Sequence, residues 1–163
     1  MIDIYFTKLK PDARIPSKRD EDAGYDIYAC FEGEEVIIQP GEIKLISTGI
    51  ASAFNSDYFL RVFERSSCGI KGMSIRAGVI DSGYRGEHLI AINNTGLKPI
   101  VIAKNPLKFS EDEFTVHDYQ KAIAQYVLLP VPKTEVKELS LSEFEQLEFK
   151  SERGDGGFGS SQK

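Results

Sequence analysis

Ile2-Asp3-Ile4-Tyr5-Phe6-Thr7-Lys8 sets Ile2, Ile4 and Phe6 on one side of the chain against Asp3, Tyr5 and Thr7 on the other. A period of two is the signature of a strand with one buried and one solvated face. Outward from this stretch, short strand-like segments recur at 24–31, 34–39, 42–53, 58–64, 73–80, 87–93, 99–103 and 122–131. Between them lie the turn-forming clusters Glu32-Gly33, Pro40-Gly41, Asn55-Ser56-Asp57, Ser82-Gly83 and Thr95-Gly96. A succession of short strands without intervening helices predicts an all-β sandwich or barrel rather than βαβ units. Helix is expected only at a short turn from Ser66 to Lys71 and after Ser140-Leu141-Ser142-Glu143, which has the form of a capping box. Pro106 to Gln120 is charged, carries Phe109 and Phe114 at no clear period, and reads as an inserted loop or irregular arm. From Ser151 the chain turns glycine-rich and poor in apolar residues. The expected organisation is one β-rich domain over 1–150 and a mobile C-terminal arm over 151–163.

A chain of 163 residues is long enough to bury one self-sufficient core. The formal charge of −5 excludes a broad electrostatic footprint for DNA or RNA, so any anion site has to be local. Cys30 and Cys68 are the only cysteines, and their spacing resembles neither a zinc nor a redox motif. The N-terminus lacks the apolar run of a signal peptide, and no stretch is apolar enough to span a membrane as a helix. The expected location is the cytoplasm, or the nucleus or host-cell interior in a eukaryotic or viral setting.

Several residues are candidates for chemistry, each with a plainer structural reading beside it. Asp81 ends an apolar strand just before a turn, where Asp ordinarily bonds the backbone but where a carboxylate can also act as a general base. Tyr84, three residues on, is either rim packing or a flat surface for a sugar. Arg65-Ser66-Ser67 precedes a short helical turn, so Ser66 either caps that turn or joins its neighbours in holding an anion. Asp26 lies between apolar neighbours, which suits an outward-facing edge position or the border of a site. Gln125 within Ile123-Ala124-Gln125-Tyr126 is either a buried backbone-bonding amide or a site residue. In the tail, Arg153 offers a fork of donors for phosphate and Phe158 a face for a base, among glycines that let backbone N–H groups approach an anion. His88 and His117 have no acid or nucleophile at a recognisable spacing, so a Ser/His/Asp triad is not supported.

In chain order these segments resemble the five motifs of the trimeric deoxyuridine triphosphatase family. The first is Ala23-Gly24-Tyr25-Asp26-Ile27-Tyr28-Ala29, the second Arg65-Ser66, and the third Ala77-Gly78-Val79-Ile80-Asp81-Ser82-Gly83-Tyr84-Arg85-Gly86-Glu87. The fourth is Ile123-Ala124-Gln125 and the fifth runs from Arg153 through Phe158 and Gly159 to Ser160. The third and fifth are highly specific. The resemblance implies a jelly-roll-like β subunit, three of which form a homotrimer with shared active sites. It also implies hydrolysis of dUTP to dUMP and pyrophosphate, which limits uracil in DNA and supplies dUMP for thymidylate synthesis. In that scheme Asp81 activates the water that attacks the α-phosphorus, and Tyr84 excludes a ribose 2′-hydroxyl. Backbone groups around 74–79, with Gly78, Val79 and Ile80, read uracil, while Arg65, Ser66, Ser67 and Gln125 hold phosphates. Mg²⁺ is gripped mainly by the triphosphate, with Asp26 reaching it through metal-bound water. Arg153 binds the γ-phosphate, Phe158 stacks on uracil, and Gly159 and Ser160 complete the closing arm.

This chain departs from the family pattern at Glu64, where Pro is usual before Arg65, at Ser67, where Gly is usual, and at Arg76, where small residues are common. The fourth motif lacks its usual Arg; Gln120-Lys121-Ala122 stands there instead, and a lysine is not geometrically equivalent to an arginine fork. Two other readings compete. Arg65-Ser66-Ser67 is similar to a segment of dCTP deaminases on the same fold, and a non-catalytic regulatory protein would use 104–120 as a partner-contact surface.

Overall fold

The structure is a computed structural model that describes residues 2–147 together with Ser151 and Gly154. Arg153, Phe158, Gly159 and Ser160 lie outside the described residues. The chain divides into two compact units, Met1–Pro132 and Lys133–Lys163.

The first unit is built almost entirely of β-strands, as its sequence rhythm demands. Its strands are β1 (Ile4–Lys8), β2 (Tyr25–Ile27), β3 (Glu35–Ile38), β4 (Ile43–Ser47), β5 (Ile50–Phe54), β6 (Tyr58–Phe63), β7 (Met73–Arg76), β8 (Val79–Asp81), β9 (Leu89–Asn94), β10 (Ile100–Ala103), β11 (Thr115–Asp118) and β12 (Ala124–Pro130). They form four small sheets ordered β1-β5, β11-β10-β3, β2-β12-β6-β8 and β4-β9-β7. Alternation aims Ile27, Leu60, Ile80 and Tyr126 inward from one sheet, Ile46, Met73, Ile90 and Ile92 from another, and Ile38, Ile100 and Ile102 from a third into one buried cluster. Asn94 is fully buried and its amide donates to the carbonyls of Ile38 and Lys98, both at 2.9 Å, while its Oδ1 accepts Gly96 N–H at 2.9 Å. A buried amide with all these partners locks β9 to β3 and to the following turn.

Three sequence expectations change. The 42–53 segment is two strands, because Gly49 adopts φ +65° and turns the chain between β4 and β5. The 73–80 segment is likewise split, at Ala77 with φ 49° and Gly78, whose Cβ would meet the Val62 carbonyl at 2.8 Å. Pro106–Gln120 is not simply an irregular arm. After a 3-10 turn at Pro106–Lys108, closed by the edge-on pair Phe109 and Phe114 at 5.4 Å, β11 pairs parallel with β10 from Ile100↔Thr115 to Ala103↔Asp118. Non-local pairing of this kind overrides the weak strand character of Thr115-Val116-His117-Asp118.

Two helices complete the described residues. α1 (Ser66–Gly69) has Arg65 at its N-cap without a side-chain cap, so Ser66 is the first helical residue and not the cap. In the second unit, α2 (Leu141–Glu145) starts at Ser140 with a full capping box, Ser140 accepting from Glu143 N–H and Glu143 accepting from Ser140 N–H. Cys30 and Cys68 are free and buried, and burial raises both thiol pKa values. Among the described residues no helix is long and apolar enough to cross a membrane.

Candidate active site

β2 and β12 run antiparallel with Asp26 opposite Gln125. Residues directly opposite share a face, so the carboxylate and the amide project to the same side of the sheet. There they border a cleft of about 860 Å³ whose lining also includes Arg65, Ser66, Ser67 and Gly24. Arg65 Nε lies 3.0 Å from Asp26 Oδ1, and this ion pair answers the cost of a carboxylate between apolar neighbours. Gln125 Nε2 donates to the Glu64 carbonyl at 2.8 Å, anchoring the segment that carries Arg65. Gly24 is needed because any Cβ there would collide with the Gln125 side chain.

The opposite wall was missed in the sequence reading. Ser17, Lys18, Arg19, Glu21 and Asp22 line it, held in place by Asp26 N–H donating to Ser17 O at 2.9 Å and by a two-pronged Arg19–Asp22 pair at 2.9 Å on each arm. Adjacent Lys18 and Arg19 just ahead of the first motif are the signal that could have revealed it. The lining carries Lys18, Arg19 and Arg65 beside Glu21, Asp22 and Asp26, so its fixed charges nearly cancel.

Glu64 directs its carboxylate to β7 and not to the residues expected to hold phosphate. Its Oε1 accepts Ile75 N–H at 2.7 Å and the Ser74 hydroxyl at 3.3 Å, and the Ile75 N–H holds the carboxyl below its ordinary pKa. Arg76 is occupied by Asn93 Oδ1 at 3.0 Å.

Asp81 and Tyr84 stand elsewhere. β8 is the far edge of β2-β12-β6-β8, so two strands separate it from β2, an in-plane distance of about 14 Å. Asp81 is exposed at the end of β8, and its carbonyl accepts Tyr84 N–H at 3.1 Å to close the turn. Ile80 is a core side chain, leaving only its backbone available, while Val79 is exposed. Tyr84 donates its hydroxyl to Glu87 O at 3.1 Å and lies nearly parallel to the His88 ring, 6.2 Å between centroids. His88 is 1% exposed, with Nδ1 bonded to Tyr126 OH at 2.9 Å and Nε2 to Ser52 Oγ at 3.1 Å; burial lowers its pKa to about 4. It is a neutral structural group. Thus the fold brings Asp26, Arg65, Ser66, Ser67 and Gln125 together and keeps Gly78, Val79, Ile80, Asp81 and Tyr84 on another edge.

The family model for dUTPase matches residues 12–106, more than half of the chain. The deoxyuridine 5'-triphosphate nucleotidohydrolase of Clostridioides difficile is 37% identical over 168 aligned residues, covering 99% of each chain. The chain belongs to the dUTPase family. Among solved structures, the Staphylococcus bacteriophage 80alpha dUTPase with dUPNHPP is 28% identical with a TM-score of 0.73, covering 98% of both chains. A dUTPase from phage phi11 of S. aureus, in which a structural Mg(II) ion is coordinated, is 26% identical with a TM-score of 0.66 over 84% of this chain and 96% of that one. Membership of the dUTPase family accounts for a β-rich fold with little helix.

Proposed function

We infer that this chain hydrolyses dUTP to dUMP and pyrophosphate. The observation that carries the reading is the cleft itself: Asp26, Arg65, Ser66, Ser67 and Gln125, drawn from three distant segments, converge in a chain that matches named dUTP nucleotidohydrolases along nearly its full length. Arg65, the two serines and Gln125 bind triphosphate oxygens. Asp81 takes a proton from water as the water oxygen bonds the α-phosphorus; the bond from that phosphorus to the bridging oxygen breaks and pyrophosphate leaves. Tyr84 packs against the sugar, and the free backbone edges near Gly78, Val79 and Ile80 pair with uracil.

Because Asp81 and the cleft occupy opposite edges of one sheet, the reading includes a homotrimer in which each site takes its cleft and its Asp81 turn from different copies. The arm 151–163 then closes over a neighbouring site, with Arg153 on the γ-phosphate, Phe158 on the base, and Gly159 and Ser160 on phosphate oxygens. The near-neutral cleft supports a need for added positive charge when a triphosphate enters. Bound Mg²⁺ would supply it, held mainly by the substrate, with Asp26 as the carboxylate that reaches its water shell. Two buried free thiols accord with a reducing cytoplasm. A protein partner would take the 104–120 segment, where Leu107 is 95% exposed.

The test is pyrophosphate release from dUTP with Mg²⁺, beside UTP, dCTP and dTTP, with Asp81→Asn and a truncation before Arg153 as controls. Selective dUTP hydrolysis lost in both variants is expected. Ammonia release from dCTP would replace the reading with a deaminase, and dUTP binding without turnover would replace it with a regulatory protein.

A further inference from the structure

β7 and β8 are consecutive and joined only by Ala77-Gly78, yet they do not pair with each other: β7 is an edge of β4-β9-β7 and β8 an edge of β2-β12-β6-β8. Their unpaired edges present backbone N–H and C=O groups, and the imide edge of uracil offers acceptor, donor and acceptor in a row. Reading that edge by main chain alone demands a fixed spacing between the two arms. The sheets do not supply it directly, because each arm belongs to a different sheet.

Glu64 bridges them. It follows β6, which carries β8 through Arg61↔Val79 and through Val62 N–H donating to Gly78 O at 2.8 Å. From there its carboxylate crosses to β7, taking Ile75 N–H at 2.7 Å and the Ser74 hydroxyl at 3.3 Å. Its own carbonyl accepts the Gln125 amide at 2.8 Å, and the next residue is Arg65. One residue therefore connects both arms of the hairpin, which serve one site of the proposed trimer, while its carbonyl holds Gln125 at the cleft that serves another. We propose that Glu64 is a positioning residue for base selectivity, setting the gap between the 73–76 and 79–81 arms so that uracil, and not cytosine, satisfies their main-chain groups. The inference rests on the dUTPase reading of this hairpin. What the bridge needs is an acceptor oxygen at the right reach, not a charge.

Glu64→Gln keeps reach and acceptor while removing the charge; Glu64→Asp keeps the charge and withdraws it by one methylene. Glu64→Ala removes both. For each, kcat and KM are measured with dUTP and dCTP, together with the inhibition constant of inorganic tripolyphosphate, which engages the phosphate cleft without a base. Expected for Glu64→Ala and Glu64→Asp is a rise of about tenfold in KM for dUTP and a similar fall in the dUTP over dCTP ratio of kcat/KM, the scale of one lost hydrogen bond. Tripolyphosphate inhibition stays within about threefold, and Glu64→Gln rescues most of the selectivity. Selectivity unchanged in Glu64→Asp, or tripolyphosphate inhibition weakening in step with KM, overturns the proposal, as does rescue by Asp but not Gln. Wild-type protein that neither turns over dUTP nor binds dUpNHpp sinks the dUTPase reading itself. A selective wild type with equally selective variants sinks only the role of Glu64.

Discussion

The two edges of the β2-β12-β6-β8 sheet are built in opposite ways. At the β2 edge, side chains hold one another: Arg65 grips Asp26, Gln125 grips the Glu64 backbone, and Arg19 grips Asp22. At the β8 edge the buried layer is rigid and the surface is open: His88, Ser52 and Tyr126 form a closed network beneath Tyr84, while Asp81 and Val79 face outward. A cleft whose charges already pair is preorganised for an anion that can compete for those donors. On the proposed reading, the exposed carboxylate beside a fixed aromatic is half of a site whose other half comes from another copy. The proposed function assigns binding to the first edge and chemistry to the second.

The most severe break falls on the open edge. Asp81→Asn is expected to lower kcat by about 10²–10⁴-fold while leaving the affinity for dUpNHpp within a few-fold, since the cleft residues are untouched; equal loss of both in a calorimetric titration would mean that the edges do not divide the labour. Next is the layer beneath Tyr84. His88 has a folded pKa of about 4 against an ordinary 6.5, so the unfolded chain binds the proton more readily. Stability is complete above pH 6.5 and falls as pH drops from 6.5 towards 4, by on the order of 3 kcal/mol. In His88→Gln the part of the denaturant-midpoint slope due to this group should vanish; an unchanged slope would show that His88 is not its source.

At the preassembled edge, Arg65→Ala should lower kcat/KM for dUTP by about 10–100-fold, mostly through KM, and Arg65→Lys should recover only part of it because a lysine lacks the fork. A loss confined to kcat would place Arg65 in the chemistry rather than in binding. The smallest effect is expected at Gly86, where a Cβ would press on the Tyr84 ring. Gly86→Ala should tilt that ring and reduce the preference for dUTP over UTP by about fivefold, with little change in tripolyphosphate inhibition; an unaltered preference would remove Tyr84 from sugar discrimination.

Strand periodicity made most of the fold legible, since β1, β3, β6, β9 and β10 all carry apolar residues that the core absorbs. What escaped was decided by partners far away in sequence. β11 is a strand because β10 lies beside it, and the break at Ala77 exists because its flanking strands join different sheets. The motif residues at the cleft were readable one segment at a time, but their grouping was not: the Asp26–Arg65 pair spans distant segments, as does the Gln125–Glu64 bond. Glu64 stood out only as a departure from the family pattern, because sequence shows that a carboxylate is next to Arg65 and not that Ile75 N–H turns it aside.

β12 places Gln125 at the cleft and Tyr126 in the core, with the Tyr126 ring against Phe6 at 6.1 Å and its hydroxyl on His88. Adjacent residues of a strand point oppositely, so this strand has a parity. A single-residue insertion or deletion between Asp118 and Ala124 that shifted β12 by one position would exchange the two, driving an amide into the core and a phenol into the cleft. A two-residue change would preserve their order. Length variation is therefore cheap in the loop at 104–114 and becomes a frameshift of function once it passes β11.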